Sequence, residues 1–144
     1  MADNYDILKL DNQICFPLYA VSKEIVRRYK PFLDEIDLTY TQYITTMVMW
    51  EARCICVKDL GNRLFLDSGT LTPVLKTLEK KGYITRSRSE EDERVLNVSV
   101  TDEGLKLREA AVEIPLKMGT CIKLEQDEAA QLYKVLHKLM GQFS

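Results

Sequence analysis

The chain has 144 residues, with 20 basic and 22 acidic side chains for a net charge of −2, and 46% of it is apolar. That is the length of one domain with a modest core, and the slight acidic excess excludes a generic basic nucleic-acid binder. No stretch approaches the roughly 18 uninterrupted apolar residues of a membrane span, and the opening MADNYDILKLDN lacks the basic-then-apolar layout of a leader, so a cytoplasmic protein is expected.

Leu10 to Tyr29 predicts a helix. One stripe is Ile14, Leu18, Val21 and Ile25, and beside it lie Cys15, Tyr19, Ser22, Val26 and Tyr29. Pro17 would be costly in a helix interior, so the helix either starts near Cys15 or kinks there. Both outcomes leave Cys15 in or beside a first turn. A helix N-terminus favours a thiolate, the form of cysteine that attacks peroxides. The bland alternative is a small apolar filler. Lys30-Pro31-Phe32 is expected to end or bend this helix. Thr39, with Gln42 three residues on, reads as a capping box. The helix from Tyr40 to Glu51 then supplies Tyr43, Ile44, Met47, Val48 and Trp50 to a core.

Cys54-x-Cys56 falls in a turn and short strand. With only Cys121 and His137 to join it, the set lacks zinc spacing, so neither a metal nor a cofactor is expected. All four cysteines should be reduced in a cytosolic chain.

Residues 57–101 read as two short helices, a tight joint and a hairpin. Lys58 to Phe65 puts Leu60 and Leu64 on one face. Asp67 or Ser68 can cap the next helix, whose start is expected near Thr70 because Pro73 must lie early in it. Leu71, Val74, Leu75 and Leu78 point inward, and Gly82 stops the helix. Thr70, Thr72, Lys76, Thr77 and Lys80 are left on a short polar, basic face suited to a major groove. Residues 83–88 and 95–100 alternate with the period of strands around a charged tip, Ser89 to Arg94. A helix-turn-helix followed by such a hairpin is a winged helix. Between Gly69 and Arg88 the cations Lys76, Lys80, Lys81, Arg86 and Arg88 face one anion, Glu79, a local balance of +4 on an acidic chain.

Thr101 caps a further helix with Asp102 and Glu103 in its first turn. Leu105, Leu107, Ala111, Val112 and Ile114 follow before Pro115 interrupts. The segment from Pro115 to Thr120 carries breakers and is expected to be mobile. Glu125 to Phe143 shows Leu132, Val135, Leu136, Leu139, Met140 and Phe143 at helical spacing. A terminal helix this apolar suggests a dimer interface, with His137 solvated outside the stripe.

Four separated motifs carry a resemblance: LDNQICFPLYA at 10–20, LTYTQY at 38–43, FLDSGTLTP at 65–73 and RSEEDERV at 88–95. They span nearly the whole chain and occur in order. The chain resembles the MarR family of transcription regulators, and within it the organic-hydroperoxide-resistance regulators. The resemblance implies a mostly α fold, one winged helix-turn-helix domain over 1–144 with a two-stranded wing, in an intertwined helical homodimer. Residues 10–52 and 102–144 would form the sensing and dimerisation helices, and 57–101 the winged helix. It implies a repressor that releases a near-palindromic double-stranded operator when an organic hydroperoxide oxidises Cys15. Tyr29 and Tyr40 match the family's hydroxyl donors to the sensing sulfur, and Tyr19 would line the oxidant pocket. A low-molecular-weight thiol, or Cys121 as a resolving cysteine, would trap the oxidised sulfur. On the DNA, Ser68, Thr70, Thr72 and Lys76 would meet bases or phosphates, Arg86 and Arg88 the backbone, and Arg94 the minor groove with Asp92 steadying it. Two other classes remain open. A thiol peroxidase would use Cys15 catalytically, but Asn12-Gln13-Ile14-Cys15 lacks the Thr-x-x-Cys of peroxiredoxins. The other is a MarR-type regulator governed by a small phenolic ligand, its cysteines incidental.

Overall fold

The computed structural model describes residues 4–143, so the first three residues of the N-terminal stretch and the last residue of the domain lie outside the description. Two 3-10 turns, Asp6–Leu8 and Leu10–Asn12, precede helix α1, Cys15–Asp34. Pro17 decides that start. As the third residue of the helix it lacks only a donor that the first turn leaves unused.

At the other end Pro31 does not stop α1 at Tyr29, and of the two expected outcomes an end there is ruled out. It removes a single bond near the helix end, while a strong terminator waits six residues on. Asp37 adopts a left-handed conformation (φ 53°), and its N–H and that of Leu38 bond back to the Asp34 and Leu33 carbonyls at 3.2 and 3.1 Å. Leu33 and Leu38, both buried, close the underside of this turn.

Helix α2, Tyr40–Ala52, opens on the expected capping box: Gln42 N–H donates to Thr39 Oγ1 at 3.3 Å, and Thr39 N–H to Gln42 Oε1 at 3.1 Å. Tyr43 and Val48 are buried and Ile44 and Trp50 pack partly against them, but Met47 is exposed, and Met49 takes the core position instead. Thr45 and Thr46 are also buried, their hydroxyls donating to the Thr41 and Tyr43 carbonyls at 2.7 and 2.6 Å. A threonine that bonds its own helix loses its polar signature, which is why polarity misassigned this face.

Strand β1, Cys54–Cys56, leads into α3, Val57–Leu64, and Phe65 makes the left-handed joint (φ 56°). Helix α4, Ser68–Lys80, starts two residues before the expected Thr70. The cap is Asp67, whose Oδ1 accepts from Thr70 N–H at 2.7 Å, and Pro73 is tolerated as the sixth residue. At its end Gly82 (φ 86°) allows Tyr83 N–H to reach the Leu78 carbonyl at 3.0 Å. Strands β2, Ile84–Arg88, and β3, Leu96–Val100, form the wing, in antiparallel register from Ile84↔Val100 to Arg88↔Leu96. The sheet has three strands in the order β1-β3-β2, for β1 adds itself to the inner edge of the hairpin, Cys54 opposite Ser99.

Helix α5, Asp102–Ala111, is capped by Thr101, and Pro115 opens α6, Ile114–Cys121. The expected mobile segment is therefore a helix. Ile114 and Met118 are buried on it, and Lys117 reaches Glu35 at 3.6 Å, fixing it to the end of α1. Helix α7, Gln126–Gly141, buries none of its residues. Ile14, Tyr19 and Val21 of the α1 region and Tyr133 and Val135 of α7 are all more than half exposed. Apolar surface on this scale in a single protomer marks an association face. Among the described residues no helix is long and apolar enough to cross a membrane.

Candidate functional site

Two sites assemble from these elements, a reading head on α4 and the wing, and a thiol region along α1. On α4, Leu71, Val74, Leu75 and Leu78 are buried as expected, which orients the opposite side outward. Ser68, Thr72 and Lys76 are spaced by four and share that outer face, with Thr70 on the first turn beside them. Ser68, Thr70 and Lys76 are exposed and Thr72 is half-buried. Asp67 occupies the N-cap, so the helix start is already satisfied from within.

The basic patch is smaller than its sequence suggests. Arg86 is committed to Glu79: its Nη2 lies 3.1 Å from Oε1 and its backbone N–H 3.1 Å from Oε2. That fork ties β2 to the last turn of α4, and the hydrogen bonds from Arg86 hold the Glu79 carboxyl below the usual range. Lys81 turns the other way, donating to the Asp37 carbonyl with its Nζ 3.4 Å from Oδ2. Arg86 is thus a bracing residue here rather than a freely presented phosphate contact. Lys76, Lys80 and Arg88 remain without ion-pair partners among the described residues. Neither brace was foreseen, since helix and strand periods do not link residues across a helix end.

At the wing tip the expected pairing is present. Arg94 Nε and Nη2 meet Asp92 Oδ1 and Oδ2 at 3.1 and 3.2 Å, and Arg94 N–H meets Oδ1 at 3.0 Å. The Arg94 side chain is 90% exposed, so Asp92 orients it without withdrawing it from solvent. The same bonds from Arg94 depress the Asp92 carboxyl. At the wing's base Trp50 Nε1 donates to the Gly104 carbonyl at 2.8 Å, and Thr101 Oγ1 donates to the Gly82 carbonyl at 2.6 Å.

Cys15 is the first residue of α1 and is exposed. Ile14 before it offers no side-chain cap, so nothing in the side chains competes for the first-turn N–H groups. Tyr19 is exposed one turn on, with Lys23 Nζ 5.3 Å from its ring centre. Tyr29 and Tyr40 lie together, ring centres 5.0 Å apart, and Tyr43 completes the cluster at 5.7 Å from Tyr29. Burial raises all three hydroxyl pKa values above the ordinary tyrosine range. They are not beside Cys15 of the same chain. Fourteen residues of continuous helix separate Cys15 from Tyr29, about 21 Å.

Cys121 is exposed at the end of α6, lining an open cleft with Arg27, Arg28, Pro31 and Phe32. It therefore sits at the tyrosine end of α1, far from its own Cys15. Cys54 Sγ accepts from Ser99 Oγ at 3.4 Å in ordered strand. Among the described residues no group of three His, Cys, Asp or Glu residues is arranged to hold a metal. His137 is exposed and stacks on Tyr133 at 3.8 Å.

Residues 27–111 match the family of transcriptional regulators described as SarA/Rot. Over 140 residues the chain is 46% identical to an organic hydroperoxide resistance transcriptional regulator of Bacillus subtilis (strain 168), covering 97% of this chain and 95% of that one. Among solved structures it is similar to reduced AbfR bound to DNA, at 31% identity and TM-score 0.78, covering 95% of each chain; AbfR is a protein of Staphylococcus epidermidis. Against the disulfide-formed AbfR the TM-score is 0.66, at 33% identity over 92% of this chain and 93% of the other.

Proposed function

Since the chain belongs to the MarR-type winged-helix transcriptional regulators, in the organic-hydroperoxide-resistance branch, we propose that it is a cytoplasmic homodimeric repressor that senses organic hydroperoxides through Cys15. In the reduced state two α4 helices enter successive major grooves of a near-palindromic operator, about one helical turn apart. Ser68, Thr70, Thr72 and Lys76 face the groove, Arg88 meets the backbone, and Arg94, aimed by Asp92, meets the minor groove. The fold follows reduced, DNA-bound AbfR more closely than the disulfide form, which supports reading this conformer as the DNA-competent one.

The observation that carries the sensing role is the exposed Cys15 thiol as first residue of an otherwise uncapped helix. The Cys15 thiolate attacks the terminal oxygen of ROOH, the O–O bond breaks, and ROH leaves once protonated, giving the sulfenic acid. A thiol then condenses with it to a disulfide, releasing water. The 21 Å along α1 supports Tyr29 and Tyr40 of the second copy as the donors to a given Cys15. Tyr19 borders the thiol that the oxidant approaches. Cys121 shares the tyrosine end of α1, which supports it as the trapping thiol across the dimer, with a small cellular thiol as the other route. A bridge requires the two Cα atoms within about 7 Å, so α6 would have to move.

The test uses a fluorescein-labelled duplex selected from a randomised pool by the reduced wild-type protein. Cys15→Ser should bind it normally by anisotropy and stay bound through a cumene hydroperoxide titration. Release of the mutant at the wild-type dose would refute the reading, and release by salicylate with no response to hydroperoxide would favour a phenolic-ligand regulator. A covalent dimer on non-reducing gels that disappears in both Cys15→Ser and Cys121→Ser supports the bridge, and a dimer surviving Cys121→Ser removes it.

A further inference from the structure

We propose that Lys81 and Asp37 form a strut that sets the position of the recognition helix from the sensing turn, and so couples the two sites. The inference rests on the repressor reading above and concerns how its two halves communicate. Lys81 is the C-cap residue of α4, immediately before the Gly82 turn that launches the wing. Its Nζ donates to the Asp37 carbonyl and lies 3.4 Å from Asp37 Oδ2, and its side chain is only 25% exposed. Asp37 is the left-handed residue of the turn joining α1 to α2, and this turn is rigid. It is held by three backbone bonds, from Ile36, Asp37 and Leu38 back to the Leu33 and Asp34 carbonyls, and by Leu33 and Leu38 buried beneath it.

Three residues beyond Asp37 stands Tyr40, the first residue of α2, its ring tilted against that of Tyr29. One short, stiff segment therefore carries both the tyrosine proposed to serve the sensing sulfur and the acceptor that holds the end of α4. Apolar packing between α2 and α4 keeps them together but is non-directional. The charged donor on a fixed carbonyl is directional, and it defines where the end of α4 sits relative to the turn. A shift of Tyr40 on oxidation at the sulfur would reach α4 through Asp37 and Lys81. The contact is present in the conformer whose fold follows reduced, DNA-bound AbfR more closely than the disulfide form.

Operator affinity of the reduced dimer is measured without peroxide on the duplex described above, for Lys81→Met, Asp37→Asn, the double variant and Lys81→Arg. Asparagine accepts the left-handed backbone at 37, so it removes the carboxylate without straining the turn. Lys81→Met should bind about two- to fivefold more weakly, the scale of one partly exposed charged contact. The loss from Lys81→Met should shrink only in part in the Asp37→Asn background, which removes the carboxylate but keeps the carbonyl acceptor, Lys81→Arg should restore wild-type affinity, and the salt dependence should keep its slope. The thermal midpoint should stay near wild type, and Lys81→Met, started from a saturated complex, should need a higher hydroperoxide dose for half release because the link to the sensing turn is cut. Unchanged affinity in Lys81→Met overturns the strut. So does an equal loss in both backgrounds with a slope reduced by about one, the signature of a phosphate contact. Because affinity is read without oxidant, a failure of Cys15 as sensor leaves this result standing, and the converse also holds.

Discussion

Gly104→Ala should destabilise the base of the wing at a cost the geometry allows one to work out. Gly104 is the third residue of α5, and a Cβ there would lie 2.2 Å from the Tyr83 carbonyl oxygen and 2.8 Å from Val100 Cγ2. The first clash is with backbone, so α5 must retreat by about 1 Å, an overpacking cost of about 1–3 kcal/mol. Retreat also lengthens the Trp50–Gly104 hydrogen bond, now 2.8 Å and worth about 1 kcal/mol. Alanine returns up to about 1 kcal/mol as a better helix former. The net is a loss of about 2 kcal/mol. Gly119→Ala in α6 is the control, since nothing lies within 4 Å of a Cβ placed there. It should be neutral or stabilising. Urea unfolding followed by the single Trp50 reads both, at one protein concentration because dimerisation contributes to stability. Operator binding should weaken in Gly104→Ala as well, for Thr101 links the Gly104 N–H to the Gly82 carbonyl at the end of α4. If Gly104→Ala is as stable as Gly119→Ala, the close approach of α5 to the wing is not as described.

Two further outcomes concern the wing. Arg94→Ala should cost more operator affinity than Lys76→Ala and relax preference at flanking base pairs, because an arginine in the minor groove reads groove shape. Lys76→Ala should weaken all duplexes alike and lower the salt slope by about one unit; equal behaviour of the two variants would place the wing off the DNA. The Asp92 carboxyl, followed by NMR, should titrate below the ordinary aspartate value of about 3.9 and return toward it in Arg94→Ala. Its pKa is depressed in the folded state, so the Asp92–Arg94 pair contributes above that ordinary value and is lost only as pH falls through the depressed one. Wing geometry should accordingly be insensitive to pH between 6 and 8.

The helices and their inward faces were readable because local chemistry and burial agree in them. The Thr39 capping box, the Leu71–Leu78 face and the Gly82 terminator each state one thing at several levels. The errors arose where a tertiary partner overrides a local signal. Pro31 looked like an end until the Leu33–Leu38 turn supplied a stronger one. Pro115 did mark a break, between α5 and α6, but the residues after it, expected to be mobile, form a helix that Ile114 and Met118 anchor. Met47 and Met49 differ only in which side of α2 meets the core, and the buried Thr45 and Thr46 hid that side. At the reading head the charges were legible as composition but not as pairs. Glu79–Arg86 and Asp37–Lys81 cross element boundaries, so the free basic surface came out narrower than the local balance implied. The separation of Cys15 from Tyr29 follows from helix length alone once the helix is known to be continuous, and it converts a set of site residues into an argument for two chains.

The most direct test of the sensing account is to follow Cys15 and the operator in one sample. Reduced dimer bound to labelled duplex is treated with substoichiometric cumene hydroperoxide and small thiol, and quenched aliquots are digested for peptide masses while anisotropy is recorded. The account predicts that the Cys15 peptide gains the mass of a thiol adduct or of a disulfide to the Cys121 peptide, in proportion to the DNA released, with Cys54 and Cys56 unmodified over that range. Release of the operator while the Cys15 peptide keeps its reduced mass would contradict it.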